Sequence, residues 1–131
     1  METGFILKSK FTYVGIRVKD LDQSIGFYTK MLGMKVKGRS RIESAKGDVV
    51  SLETEGGGFE LELNHYDKDS PYYADYTVGE ALDHLAFHVE DLNRALDEAR
   101  ASGYRVVSEM KSNESRWAYV EDPNGIWIEL F

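Results

Sequence analysis

The chain repeats itself, and the repeat constrains the fold more than any other feature. Residues 14–23, VGIRVKDLDQ, and residues 85–94, LAFHVEDLNR, share one layout: a short apolar strand ending in Val, then Lys or Glu, Asp and Leu. Each continues at helical spacing, through Leu21, Ile25, Tyr28 and Leu32 in one case and Leu92, Leu96 and Ala99 in the other. Asp20 and Asp91 stand where an N-cap belongs, Gln23 completes a capping box with Asp20, and Gly33 and Gly103 stand where a left-handed C-cap ends a helix. The closing strands match as well: GFELEL (58–63) aligns with GIWIEL (125–130). The displacement is 71 residues at the front of the unit and 67 at its back, a difference that short loop deletions explain. The pattern predicts an α+β fold in one domain, residues 1–131. It has two βαβββ modules, about 11–65 and about 84–131, joined by a tyrosine-rich linker over 66–83.

Composition sets the outer limits. The 131 residues carry 23 acidic and 16 basic side chains, a formal charge of −7, which repels phosphate and argues against nucleic-acid and anionic-membrane partners. With no cysteine there is no disulfide framework, no thiolate metal site and no cysteine nucleophile. No segment has the run of about 18 apolar residues expected of a membrane span or the pattern of a signal peptide, so a cytoplasmic location is expected.

Strand alternation assigns faces. Val14, Ile16 and Val18 would lie against the helices, leaving Tyr13, Gly15 and Arg17 opposite. Leu85, Phe87 and Val89 leave His84, Ala86 and His88 opposite; Phe59, Leu61 and Leu63 leave Glu60 and Glu62. Ile126, Ile128 and Leu130 leave Trp127, Glu129 and Phe131. The front displacement superposes Tyr13 on His84 and Arg17 on His88, and the back displacement superposes Glu62, not Glu60, on Glu129. If each sheet curls, Glu62, His84 and Glu129 converge on one concavity. Two carboxylates and an imidazole suit one divalent ion such as Zn, Ni, Mn or Fe. An ion would also explain acids inside a cleft, where unpaired carboxylates are costly.

These residues carry a family resemblance. FTYVGIRVKDLDQSIGFYTKMLGMKV resembles the opening of glyoxalase I and its relatives in the vicinal oxygen chelate (glyoxalase/bleomycin resistance/extradiol dioxygenase) superfamily. LELNHY, LDHLAFHVEDL and AYVEDPNGIWIELF resemble that superfamily's later segments, in order. The resemblance implies paired βαβββ modules whose mixed sheets curl into a barrel-like cleft with the helices outside. It implies a divalent metal held from the first and last strands of each module, and a homodimer whose cleft, in glyoxalase I, forms between modules of different chains.

Carried over residue by residue, the metal positions fall on Glu62, His84 and Glu129, with Glu60 as a rival to Glu62. The remaining position, usually His or Gln in glyoxalase I, is Tyr13. A neutral phenol is a poor ligand, so Tyr13 is expected to line the pocket instead. The implied activity is that of a metal-dependent lyase or isomerase similar to lactoylglutathione lyase. Its small-molecule substrate presents vicinal oxygens to the metal, and Glu129 or Glu62 moves a proton between adjacent carbons. Arg17, at the position that holds a glutathione carboxylate in glyoxalase I, and His88 would hold an anionic tail. Tyr13, Trp117 and Tyr119 would shape the pocket, and Tyr66, Tyr72, Tyr73 and Tyr76 would form a lid or a dimer contact. A ring-cleaving dioxygenase would require a second His where Tyr13 stands. An antibiotic-sequestering dimer without metal is the alternative from a different class. His65 is expected in a surface loop, and DPNG (122–125) reads as a tight turn with no chemistry of its own.

Overall fold

The computed structural model describes Lys8 and residues 12–80, 82, 84–112 and 115–131, apart from the side chain of Ser112; the expected start of module one at residue 11 and the end of the linker at residue 83 lie outside these residues. Among the described residues, eight strands form two four-stranded sheets that do not close into a barrel. The first contains β1 (Tyr13–Arg17), β2 (Lys35–Ile42), β3 (Gly47–Glu53) and β4 (Glu60–Tyr66), in the order β1-β4-β3-β2. The second contains β5 (His84–Phe87), β6 (Val106–Ser112), β7 (Ser115–Glu121) and β8 (Trp127–Leu130), in the order β5-β8-β7-β6. In each module the first and last strands are parallel neighbours and the remaining pairs are antiparallel. The repeat extends to irregularities that composition cannot show. A bulge interrupts the β2–β3 pairing between Val36 and Gly38, and another interrupts β6–β7 between Val106 and Ser108.

Helix α1 (Leu21–Gly26) begins at Asp20, whose Oδ1 accepts from the Gln23 amide at 2.9 Å, and α2 (Leu92–Ala101) begins at Asp91, whose Oδ1 accepts from the Arg94 amide at 3.1 Å. Gly33 and Gly103 adopt φ of 72° and 83°, the left-handed conformation that ends each helical segment. The first helix departs from the expected continuous α-helix. Residues Phe27–Met31 widen into a π-helical turn in which the Leu32 amide reaches back to the Phe27 carbonyl. The Thr29 hydroxyl also donates to the Ile25 carbonyl at 2.7 Å. Both Phe27 and Tyr28, consecutive residues, are completely buried.

One core joins the modules. Ile16, Val50, Leu52, Leu61 and Leu63 of the first sheet and Ala118, Val120, Ile128 and Leu130 of the second belong to a single buried cluster with Leu96 and Ala99 of α2. Phe27 packs edge-on against Tyr104 across the module boundary, with ring centroids 4.7 Å apart. Phe59, expected on the helix side, lies just before β4 and is 51% exposed, because the chain is still leaving the glycine turn 56–58 there. His65, expected in a loop, is half-buried within β4.

The linker is strapped to module one. The Asp67 amide donates to the Lys46 carbonyl, the Ser70 hydroxyl donates to the Ala45 carbonyl, and Lys46 pairs with Asp69 at 2.7 Å. Arg41 of β2 grips Asp67 with both terminal nitrogens, at 3.1 and 2.7 Å, which holds the Asp67 carboxyl below its ordinary value of 3.8. A depressed folded value means that the pair stabilises the fold fully above 3.8, and that this contribution is lost as pH falls through the folded value. Asp67→Asn is therefore expected to be less stable than the parent near neutral pH, with the gap closing in acid. Urea midpoints of both proteins across that range measure it, and a gap of constant size would contradict the assignment.

Candidate active site

Strand register positions the polar groups. Along β1 and β4, Tyr13 lies opposite Glu60 and Gly15 opposite Glu62. Along β5 and β8, His84 lies opposite Trp127 and Ala86 opposite Glu129. The two parallel pairs thus have the displacements of 71 and 67 residues read from the sequence, and Glu62 is the structural twin of Glu129. Glu60 is the twin of Trp127 and is engaged elsewhere, in an ion pair with Lys37 at 2.8 Å. Beside each twin carboxylate stands a residue with little or no side chain. A Cβ on Gly15 would lie 3.8 Å from Glu62 Oε1 and 3.1 Å from Asn64 Nδ2, so a larger residue would crowd the approach to Glu62.

On the second sheet His84 Nε2 lies 3.3 Å from Glu129 Oε1, and both side chains are partly buried. The Tyr119 hydroxyl stands 3.5 Å from the same oxygen, a long contact, and the Tyr119 ring meets His84 edge-on at 5.6 Å. Trp127 packs 5.5 Å from Tyr119, which makes it a wall residue of the same face. Alternation along β8 puts Trp127 on the same side as Glu129. His88 lies at the far end, its Nδ1 3.1 Å from the Phe131 carbonyl and its ring 5.3 Å from that of Phe131. Trp117 is two residues from Tyr119 on β7, opposite Met110 near the hairpin end.

The structure therefore brings His84, Glu129 and Tyr119 together on the second sheet and places Tyr13, Arg17 and Glu62 on the first. Among the described residues no three His, Asp or Glu side chains of one chain gather to hold an ion. The donor set itself, one imidazole and two carboxylates with no sulfur, fits a divalent ion of borderline or hard character. The two sheet faces differ in character. The first carries Tyr13, Arg17, Glu60 and Glu62; the second is walled by Tyr119, Trp127 and Phe131. Tyr13, Trp127 and Phe131 are 51%, 43% and 48% exposed in the single chain.

Arg17 has no hydrogen-bond or ion-pair partner among the described residues and lines a cavity of about 250 Å³ between β1 and the linker residues Tyr76, Glu80 and Leu82. A neighbouring cavity of about 320 Å³ extends from Arg17 to Lys19, His65 and Lys68. No helix among the described residues is long and apolar enough to cross a membrane.

Paired βαβββ modules with a carboxylate at the same register position in each define a two-module α+β fold, and comparison with known proteins agrees. The chain belongs to the Glyoxalase/Bleomycin resistance protein/Dioxygenase superfamily, whose family description matches residues 10–130. It is 37% identical over 123 residues to the lactoylglutathione lyase of Escherichia coli O157:H7, covering 88% of this chain and 86% of that one. It is 32% identical over 129 residues to a putative lactoylglutathione lyase of Brassica oleracea var. gemmifera; that match covers 94% of this chain but only 44% of the plant protein's length. Among solved structures, a trypanothione-dependent glyoxalase I of Leishmania major superposes with a TM-score of 0.73 at 33% identity, over 94% of this chain and 86% of that one.

Proposed function

We propose that this chain is the subunit of a divalent-metal-dependent lyase, like the lactoylglutathione lyases it resembles, and that its substrate is a hemithioacetal. The observation that carries the reading is the His84–Glu129 pair on the second sheet, with Glu62 at the equivalent register position of the first. His84, Glu129 and Glu62 would hold the ion, which could be Zn, Ni, Mn or Fe. When bound, the ion supplies Lewis-acid polarisation of two vicinal substrate oxygens. Glu129 and Glu62 flank the substrate from opposite sheets, and a carboxylate there removes a proton from one carbon and returns it to the next. Arg17, an unpaired guanidinium at the mouth of a cavity, binds an anionic tail of the substrate. Tyr119 and Trp127 keep bulk water away from the carboxylate, and Tyr13 would face the substrate from the first sheet, whereas Trp117 lines a separate cavity with Leu92 and Leu96.

The site is completed by a second copy. The carboxylate on the first sheet and the His–carboxylate pair on the second belong to separate faces of one chain. Exposed Tyr13, Trp127 and Phe131 give those faces an apolar surface to bury. In a twofold dimer, Glu62 of one copy meets His84 and Glu129 of the other, and two equivalent sites result.

The test measures metal content of the purified protein and isomerisation of hemithioacetals made from methylglyoxal with several low-molecular-weight thiols. About one divalent ion per chain is expected. Activity should be lost on chelation and recovered on adding the ion back. Metal-free protein that binds aromatic compounds equally well in the parent, His84→Ala and Glu129→Gln would replace this reading with that of a binding protein.

A further inference from the structure

The DPNG turn forms a buried polar knot between the modules. Asp122 is 4% exposed and Asn124 fully buried, as is Ser24 of α1. The Asp122 side chain accepts four hydrogen bonds: at Oδ1 from the amides of Asn124 and Ile126, both at 2.8 Å, and at Oδ2 from the Tyr28 hydroxyl at 2.9 Å and Asn124 Nδ2 at 3.0 Å. Asn124 uses both ends of its amide as well, since Nδ2 also donates to the Ser24 hydroxyl at 3.0 Å and Oδ1 accepts from the Lys19 amide at 2.8 Å. Tyr28 and Ser24 belong to the first helix, Lys19 follows β1, and Ile126 leads into β8. Every side-chain polar atom buried here has a partner, and burial beside Asp122 pushes the Tyr28 phenol well above its ordinary range.

A tight turn needs none of this. A type I or II turn is stable with its polar groups in water, and burying a carboxyl group is costly unless its full bonding capacity is used. The linker also presses on this turn. A side chain on Gly125, which sits at φ 84°, would come within 2.9 Å of Val78. The strand that leaves the turn carries Glu129 three residues beyond Ile126, and the strand that enters Lys19 carries Arg17 two residues before it. We infer that Asp122 and Asn124 are positioning residues: they clamp the start of β8 to the end of β1 and to α1, and so set where Glu129 and Arg17 stand relative to each other. The role assigned to Glu129 rests on the function proposed above; the clamp itself does not.

The experiment exploits donor–acceptor complementarity. Asp122→Asn sets an amide NH2 against that of Asn124, and Asn124→Asp sets two carboxyl groups against each other. Combining them restores one carboxyl facing one amide with the positions exchanged. Amide hydrogen exchange of the metal-free protein is expected to quicken by about tenfold or more at Ile126–Leu130 and Lys19 in each single variant, while β3 amides change little. The double variant should recover most of the lost protection. Divalent-metal affinity, and kcat more than KM for hemithioacetal isomerisation, should fall and recover in parallel. Equal acceleration throughout both sheets, or a double variant no better than the worse single one, would overturn the clamp. If the parent binds no metal and isomerises no hemithioacetal, the proposed function fails, and the exchange pattern still decides the clamp.

Discussion

His84→Ala is expected to lower divalent-metal affinity by about 100-fold or more, beyond the 10–100-fold typical of groups that merely orient a ligand, and to abolish hemithioacetal isomerisation. His84 supplies the only imidazole in the proposed donor set, and its Nε2 lies within 3.3 Å of Glu129 Oε1. Without it two carboxylates remain, a set better suited to harder, more weakly held cations. The fold should survive. The side chain is partly exposed and stands apart from the buried cluster of Leu96, Ile128 and Leu130, so its loss leaves the core packing in place and costs about 1 kcal/mol, the centre of the range for single substitutions. Calorimetric titration with Zn or Ni, set beside a thermal melt, separates the two effects. Unchanged metal affinity in a folded His84→Ala protein would remove His84 from the site.

A larger qualitative effect is expected from mixing two inactive proteins. Glu62→Ala and Glu129→Ala should each be inactive alone, because in either homodimer both sites lack a carboxylate. After subunit exchange, a mixed dimer has one site that lacks both carboxylates and one that lacks neither. Random exchange makes half the dimers mixed, each with one intact site of two, so about a quarter of the parent activity should reappear from none. The prediction follows from the division of the groups: Glu62 on the sheet of β1 and β4, His84 and Glu129 on the sheet of β5 and β8. If mass spectrometry shows mixed dimers and activity stays at zero, each site is built within one chain.

The repeat was legible because both kinds of periodicity survive in it. The displacements of 71 and 67 residues recur in strand register, which makes Glu62 and not Glu60 the counterpart of Glu129, while Glu60 pairs with Lys37. Helix starts were legible because Asp20 and Asp91 act through residues only three positions away. Three features were not. The π-helical turn at Phe27–Met31 reflects packing of Phe27 against Tyr104 and anchoring of Tyr28 by Asp122, contacts with residues 77 and 94 positions distant, to which helical spacing is blind. The exposure of Phe59 depends on where β4 begins, and alternation does not mark strand ends. The DPNG turn has a sequence that explains itself as a turn, so nothing in it announces that Asp122 and Asn124 are buried among groups from the first helix and β1.

The equivalence of β1 and β5 in the repeat has an evolutionary consequence. Tyr13 occupies, in the first module, the place that His84 occupies in the second. Tyrosine and histidine codons differ only in their first base, so one point mutation would install an imidazole at the twin position. If His84 belongs to the proposed donor set, a single genetic step would therefore separate an asymmetric set from a symmetric one.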